Sequence, residues 1–382
     1  MHVEHDRGPE AEALWFPYMV WAKEQGFHSP YCLSQSGMPV PEAGFLAALG
    51  TDRAPDLAHP LRAATPGLEA RLAELFAVDP ARVIVTAGAS AAMQLVALRW
   101  FRGGARVVTE LPSYDPFRAL PALFGADARV LERRLDEGWS LDPDAVADAL
   151  AGRGAGTRGH VFLANPNNPT GATLARAELS RIAVHAARAG GVLIGNEVYM
   201  EFAPPERRVH AFELAPNGVS IGSLTKAYGL GALRIGWLIL GAELAGERRR
   251  LLDLANLVYV DLATPALRIA RVALEHLPEL LAPYRRLEHE SRPLLRGWMR
   301  DTPGVRGTES PFGLIAFPRI EGVADTRALS AFLAREHGVD AVPGEHFGLA
   351  GHLRLGFGVP AATLAVGLEH LTAGIEAFRA RA

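Results

Sequence analysis

Apolar and polar positions along the chain follow two rhythms. Short, continuously apolar runs stand at 81–88 (ARVIVTAG), 105–112 (ARVVTELP), 160–166 (HVFLANP), 191–199 (GVLIGNEVY), 218–225 (GVSIGSLT) and 234–241 (RIGWLILG). Between them apolar residues recur at helical spacing, as in SAAMQLVALRWF after the first run and ARAELSRIAVHAARAG after the third. Buried strands separated by helices predict an α/β architecture, a mostly parallel central sheet with helices on both faces. From about residue 282 the rhythm changes. A long charged helical stretch (YRRLEHESRPLLRGWMRD) leads to strand-like 312–320, helical 328–338, strand-like 352–358 and a closing helix. That pattern predicts a smaller C-terminal α+β domain over 282–382 beyond a large domain over 41–281; an N-terminal segment, 1–40, is expected to contribute to the small domain and a substrate lid.

Ligands of such sheets sit beyond the carboxyl ends of the strands. Those ends are polar here: Gly88-Ala89-Ser90, Asn165 to Thr170, Asn196 to Tyr199, and Ser223 to Lys226. Composition narrows the field of functions. The chain has 382 residues, 49 % hydrophobic and 21 % charged, as in an ordinary globular enzyme of more than one simple core. A net charge of −3 gives no electrostatic footprint for nucleic acid or anionic lipid. The longest apolar stretches are too short to span a bilayer. Cys32 is the sole cysteine, so no intramolecular disulfide forms, and the acidic N-terminus shows no secretory pattern. A cytoplasmic protein without a bound metal is expected.

Three stretches carry candidate chemistry. In GSLTKAYGLGALRIGW (222–237), Lys226 follows a strand end, with Arg234 eight residues on. A lone loop lysine is usually structural. One held on buried backbone has a depressed pKa and can form a Schiff base, and Ser223 and Arg234 can hold an anion beside it. In VTAGASAAMQ (85–94) a strand turns through Gly88 into a helix starting at Ala89 or Ser90, where free N–H groups make a phosphate seat. In NPNNPTGA (165–172) successive turns aim Asn168 into the cleft.

NNPTG, then NEVY, then SLTK with an arginine eight residues later, together resemble the class I/II aminotransferases, fold-type I enzymes that use pyridoxal 5'-phosphate. The resemblance covers roughly 30–380 and includes VPGEHFG (342–348) and LRLGF (353–357). It implies an aspartate-aminotransferase-like fold with 41–281 as the cofactor-binding domain. It also implies a homodimer, and transfer of an amino group from an α-amino acid to a 2-oxo acid. Lys226 becomes the aldimine lysine that also moves the α-proton. Gly88, Ala89, Ser90, Ser223 and Arg234 become phosphate ligands, and Tyr114 stacks on the pyridine. Asn168 and Tyr199 bond the phenolic oxygen, Arg354 clamps the substrate carboxylate, and Gly37 closes over it. A strand arginine in a surface ion pair is the plain alternative for Arg354.

Two positions depart from the pattern. Arg62 stands where a tyrosine normally reaches the neighbouring subunit's phosphate, and Asn196 stands where an aspartate faces the pyridine nitrogen. A carboxylate keeps that nitrogen protonated. An amide hydrogen-bonds it but balances no charge, which costs roughly 1–2 kcal/mol of preference for the protonated ring. Glu197 is no substitute, because adjacent strand residues face opposite ways. The amide keeps a second outcome open: elimination, replacement or cyclisation at the side chain of a modified amino acid, as in enzymes of the capreomycidine-synthase type. A cofactor-binding regulator would carry a basic DNA-binding domain ahead of the fold, and the lysine would be dispensable. Trp15, Phe16, Tyr18 and Trp21 are either helix-packing residues or the lining of a lid.

Overall fold

The computed structural model describes residues 17–24, 28–48, 64–152, 154 and 156–381. Arg62, Trp15 and Phe16 lie outside the described residues. Seven strands form the central sheet: β1 (Val83–Thr86), β2 (Arg106–Leu111), β3 (Asp127–Glu132), β4 (Gly159–Ala164), β5 (Leu193–Asn196), β6 (Gly218–Ser223) and β7 (Gly236–Leu240), in the order β1-β7-β6-β5-β4-β2-β3. Every pairing is parallel except those of β7 with β1 and β6. Five of the strands are buried at every position, and successive side chains divide between two cores. Val107, Phe162, Ile194 and Ile221 pack with the helix Gly88–Trp100 (α1) on one face. Val108, Val161, Leu163 and Leu193 pack with Leu179 and Ile182 of the helix Arg176–Arg188 on the other. The period of two therefore explains why these strands read as continuously apolar.

The pattern analysis missed one strand. β3 is the sheet's edge, carrying Asp127, Arg129 and Glu132, and most of its side chains face solvent. An edge strand with charged residues resists pairing with other chains and has no apolar signature. Helix α1 starts at Gly88, one residue before the expected position, because glycine's φ of +76° turns the chain out of β1.

The C-terminal region is built on the 25-residue helix Leu277–Asp301 (α2), a small antiparallel sheet and the helix Ala361–Arg379 (α3). The small sheet contains β8 (Ile315–Ala316), β9 (Val342–Pro343) and β10 (Leu353–Gly356), ordered β8-β10-β9. The single strand expected over 312–320 is broken at Pro318, which has no N–H to donate. The boundary expected at 281/282 falls inside α2. The N-terminal segment joins this region: Tyr31–Cys32 pairs in parallel with Val339–Asp340. Asp340 accepts bonds from the His28 and Ser29 amides. Farther along, Gly356 donates its N–H to Leu33 O at 2.6 Å, and a Cβ at Gly356 would lie 1.4 Å from Gln35 O. One apolar core runs from Leu68 and Val83 through Leu224 and Trp237 to Leu353 and Leu371, joining the large and small parts. Among the described residues no helix is long and apolar enough to cross a membrane.

Candidate active site

The polar strand ends converge on one cavity of about 570 Å³ beyond the carboxyl edge of the sheet. Ala89 and Ser90 come from the start of α1, Asn168 from the loop after β4, and Asn196 and Tyr199 from the end of β5. Ser223, Lys226 and Arg234 come from the loop between β6 and β7, and Tyr114 follows β2. Gly88, Gly37 and Arg354 stand behind these residues and do not line the cavity.

One end of the cavity is suited to an anion. No side chain caps α1 at Ala87, so its first N–H groups remain available to a ligand. Arg234, with φ +54°, sets its guanidinium over this turn, and a Cβ at Gly88 would lie 2.6 Å from Arg234 NH2. Gly236 is equally constrained, since a Cβ there would lie 2.6 Å from the Gly88 carbonyl carbon. Ser223 Oγ accepts the Thr225 N–H at 2.9 Å, which orients the hydroxyl.

Lys226 is half-buried in the cavity wall. Its Nζ donates to Ser36 Oγ at 3.0 Å and lies 6.0 Å from the Tyr199 ring centre. Burial lowers the pKa of this amine; the positive charges of Arg354 and Arg234 push the same way, and Tyr18 opposes them. The segment around Gly37 is pressed against the lysine. Met38 N–H bonds Lys226 O at 2.8 Å, and a Cβ at Gly37 would lie 3.2 Å from Lys226 Cα.

The NPNNPTG loop assigns different work to each of its asparagines. Asn165 Oδ1 accepts the Leu174 N–H at 2.9 Å. Asn167 Nδ2 donates to Glu110 Oε1 at 3.0 Å and to Pro112 O, while its Oδ1 accepts from Thr170. Glu110 is itself paired with Arg133 at 2.5 Å, both fully buried. With the loop braced from within, Asn168 is left to face the cavity, where its Oδ1 accepts from Arg354 NH1 at 3.2 Å.

Asn196 is 5 % exposed; its Nδ2 donates to Met93 Sδ at 3.2 Å and its Oδ1 accepts the Val198 N–H at 3.4 Å. Glu197 turns to the opposite face. Its carboxylate meets His210 Nδ1 at 2.5 Å, the Ala211 N–H at 2.7 Å and Ser220 Oγ at 2.8 Å, all away from the cavity. Tyr199 Oη is buried and, among the described residues, makes no hydrogen bond of full geometry, though the Ser36 hydroxyl lies close enough to influence it; burial raises its pKa above the ordinary phenol value. Arg354, 0 % exposed, donates to Asn168, Tyr18 and Ser34 O, and its Nε has no partner. Tyr18 and Met19 of the helix Pro17–Glu24 line the cavity, and Trp21 lies against His346 with ring centres 5.8 Å apart. Tyr18 thus belongs to the site. Ser36, Met93 and Glu110 escaped the sequence analysis, which left Tyr18 open between helix packing and a lid; of the three, only Glu110, an acid inside an apolar strand, left a visible signal.

These features fit pyridoxal phosphate on structural grounds. An uncapped helix start with an arginine above it suits a phosphate. A buried phenol in the same cavity wall as Asn168 suits a phenolic oxygen. A half-buried lysine of lowered pKa stands between them. Comparison with known proteins agrees. The family profile for aminotransferase class I and II matches residues 56–371. Capreomycidine synthase of Streptomyces vinaceus is 29 % identical over 377 residues, covering 96 % of this chain and 94 % of that one. The arginine–pyruvate transaminase AruH of Pseudomonas aeruginosa is 30 % identical over 287 residues, 73 % and 71 % of the two chains. The solved structure of the PLP-dependent cyclase OrfR superposes with a TM-score of 0.81 at 26 % identity, covering 100 % of both chains. The chain belongs to the class I and II aminotransferase family, fold-type I enzymes whose cofactor is pyridoxal phosphate.

Proposed function

We propose that the protein transfers the amino group of an α-amino acid to a 2-oxo acid. The observation that carries this is Arg354, a fully buried cation that, among the described residues, has no carboxylate partner. A buried charge without a counter-ion is costly, and a substrate α-carboxylate supplies one.

Pyridoxal phosphate, when bound, supplies an electrophilic carbonyl carbon and an electron-withdrawing ring. Toward it Gly88, Ala89, Ser90, Ser223 and Arg234 would hold the phosphate, and Tyr114 would cover the ring. Asn168 and Tyr199 would donate to the phenolic oxygen. Lys226 would hold the cofactor through Nζ, and its lowered pKa favours the neutral amine, the form that would take a proton from the substrate Cα and return it elsewhere. Gly37 packs closely on Lys226 behind the cavity wall, where an added Cβ would press on the Lys226 backbone at 3.1–3.2 Å. A cytoplasmic homodimer belongs to the same proposal, supported by the single cysteine and by an exposed apolar patch at Leu257 and Val260.

A second outcome has its own support. Asn196 contributes an amide where transfer favours a carboxylate, and a capreomycidine synthase and a cyclase are among the relatives matched over nearly their whole length. Elimination, replacement or cyclisation needs the same loss of the α-proton but no 2-oxo acid. The deciding experiment incubates the holoenzyme with a panel of amino acids, with and without 2-oxo acids, and quantifies every product. Transfer gives one new amino acid per oxo acid consumed. Turnover without an oxo acid, with release of ammonia or another leaving group, replaces transfer by the second outcome.

A further inference from the structure

Tyr18 stands between the cavity and Arg354. The guanidinium is enclosed and does not line the cavity, whereas Tyr18 and Asn168 do. Arg354 NH2 donates to the Tyr18 hydroxyl at 2.9 Å, and the guanidinium carbon lies 5.1 Å from the ring centres of both Tyr18 and Phe347. The cation therefore packs against two neighbouring aromatic rings on one side. Several contacts hold Tyr18 in place. Its N–H donates to Asp115 Oδ2 at 3.2 Å, and Asp115 is paired with Arg118 at 2.5 Å. Its ring meets Tyr114 edge-on at 5.8 Å and Phe347 at 5.6 Å. Because the hydroxyl oxygen accepts from a cation, its O–H is polarised and becomes a stronger donor. Among the described residues nothing accepts that hydrogen.

We infer that Tyr18 is a substrate-binding residue whose hydroxyl donates to the α-carboxylate and carries the influence of Arg354 into the cavity. This rests on the α-amino acid substrate proposed above. The helix Pro17–Glu24 is then part of the recognition surface, and an amine lacking the carboxylate gains nothing from Tyr18.

The test titrates the cofactor-loaded holoenzyme with two probes and follows cofactor absorbance. One is 2-methylalanine, which has no α-proton to lose; the other is isopropylamine, the same molecule with hydrogen in place of the carboxylate. Wild-type protein is expected to prefer the amino acid. Tyr18→Phe is expected to lose about tenfold of that preference, as for one hydrogen bond to a charged group. Its amine affinity stays unchanged, which also reports an intact cavity. A preference kept or enlarged in Tyr18→Phe means that Arg354 takes the carboxylate alone, and overturns the inference. Equal loss for both probes assigns Tyr18 a structural role and overturns it too. A wild-type protein with no preference for the amino acid overturns the amino-acid substrate itself.

Discussion

Exchanging the Asn196 amide for a carboxylate is expected to speed amino-group transfer about tenfold, since roughly 1–2 kcal/mol of ring protonation is restored and each 1.36 kcal/mol reaching the barrier is a factor of ten. Single-turnover kinetics of Asn196→Asp against wild type check this. An unchanged rate and cofactor spectrum would separate position 196 from the ring nitrogen. The same scale explains what the sequence disclosed. Lys226, Asn168 and Tyr199 sit in short loops whose turn residues are neighbours in the chain, so local pattern betrays them. Glu197 could be turned away from the cavity because a strand alternates its faces. The Tyr18–Arg354 bond joins residues 336 positions apart, and no local pattern encodes it.

Helix α1 and the turn Gly344–Phe347 each make a prediction at the scale of elements. Gly88 combines φ +76° with a neighbouring guanidinium 2.6 Å from where a Cβ would stand. Gly88→Ala is expected to weaken cofactor binding at least tenfold, as the strained backbone and the displaced Arg234 spoil the anion seat. Equilibrium dialysis against pyridoxal phosphate measures the loss. His346, in the turn, is held neutral: burial, reinforced by Arg327, Arg354 and Arg118, lowers its pKa to about 4. Its folded value lies below the unfolded value of about 6.5, so only the unfolded chain takes up a proton between the two. Stability is therefore full above about pH 6.5 and falls as pH drops toward 4. Between pH 7.5 and pH 5 wild type is expected to lose about 2 kcal/mol more than His346→Gln in urea titrations. Elements were legible where burial was two-sided. The edge strand β3 and the break at Pro318 were not, because solvent exposure and a single missing N–H leave no hydropathy signature.

For the molecule as a whole, the end of the helix Arg248–Val258 leaves Leu257 83 % and Val260 64 % exposed, the latter with φ +58°, an uncommon conformation for a β-branched residue. A self-complementary patch there suits a twofold dimer. Sedimentation of Leu257→Glu/Val260→Glu is expected to show a shift toward monomer, while wild type stays dimeric across the same dilution series. The α/β class and the strand-end site followed from chain rhythm alone. That the N-terminal segment joins the C-terminal region was expected, but which residues meet there was not legible, since contacts between distant parts of a chain are invisible to periodicity. The flush seam between Gly356 and Gln35 O has a consequence for protein engineers and for evolution alike. Residues 33–38 and the strand carrying Arg354 form a single exchangeable cassette. A chimera that replaces the late strand with a relative's must keep glycine at position 356, because any side chain there would meet the Gln35 carbonyl of the front segment. The two ends of the chain thus constrain one another's exchange.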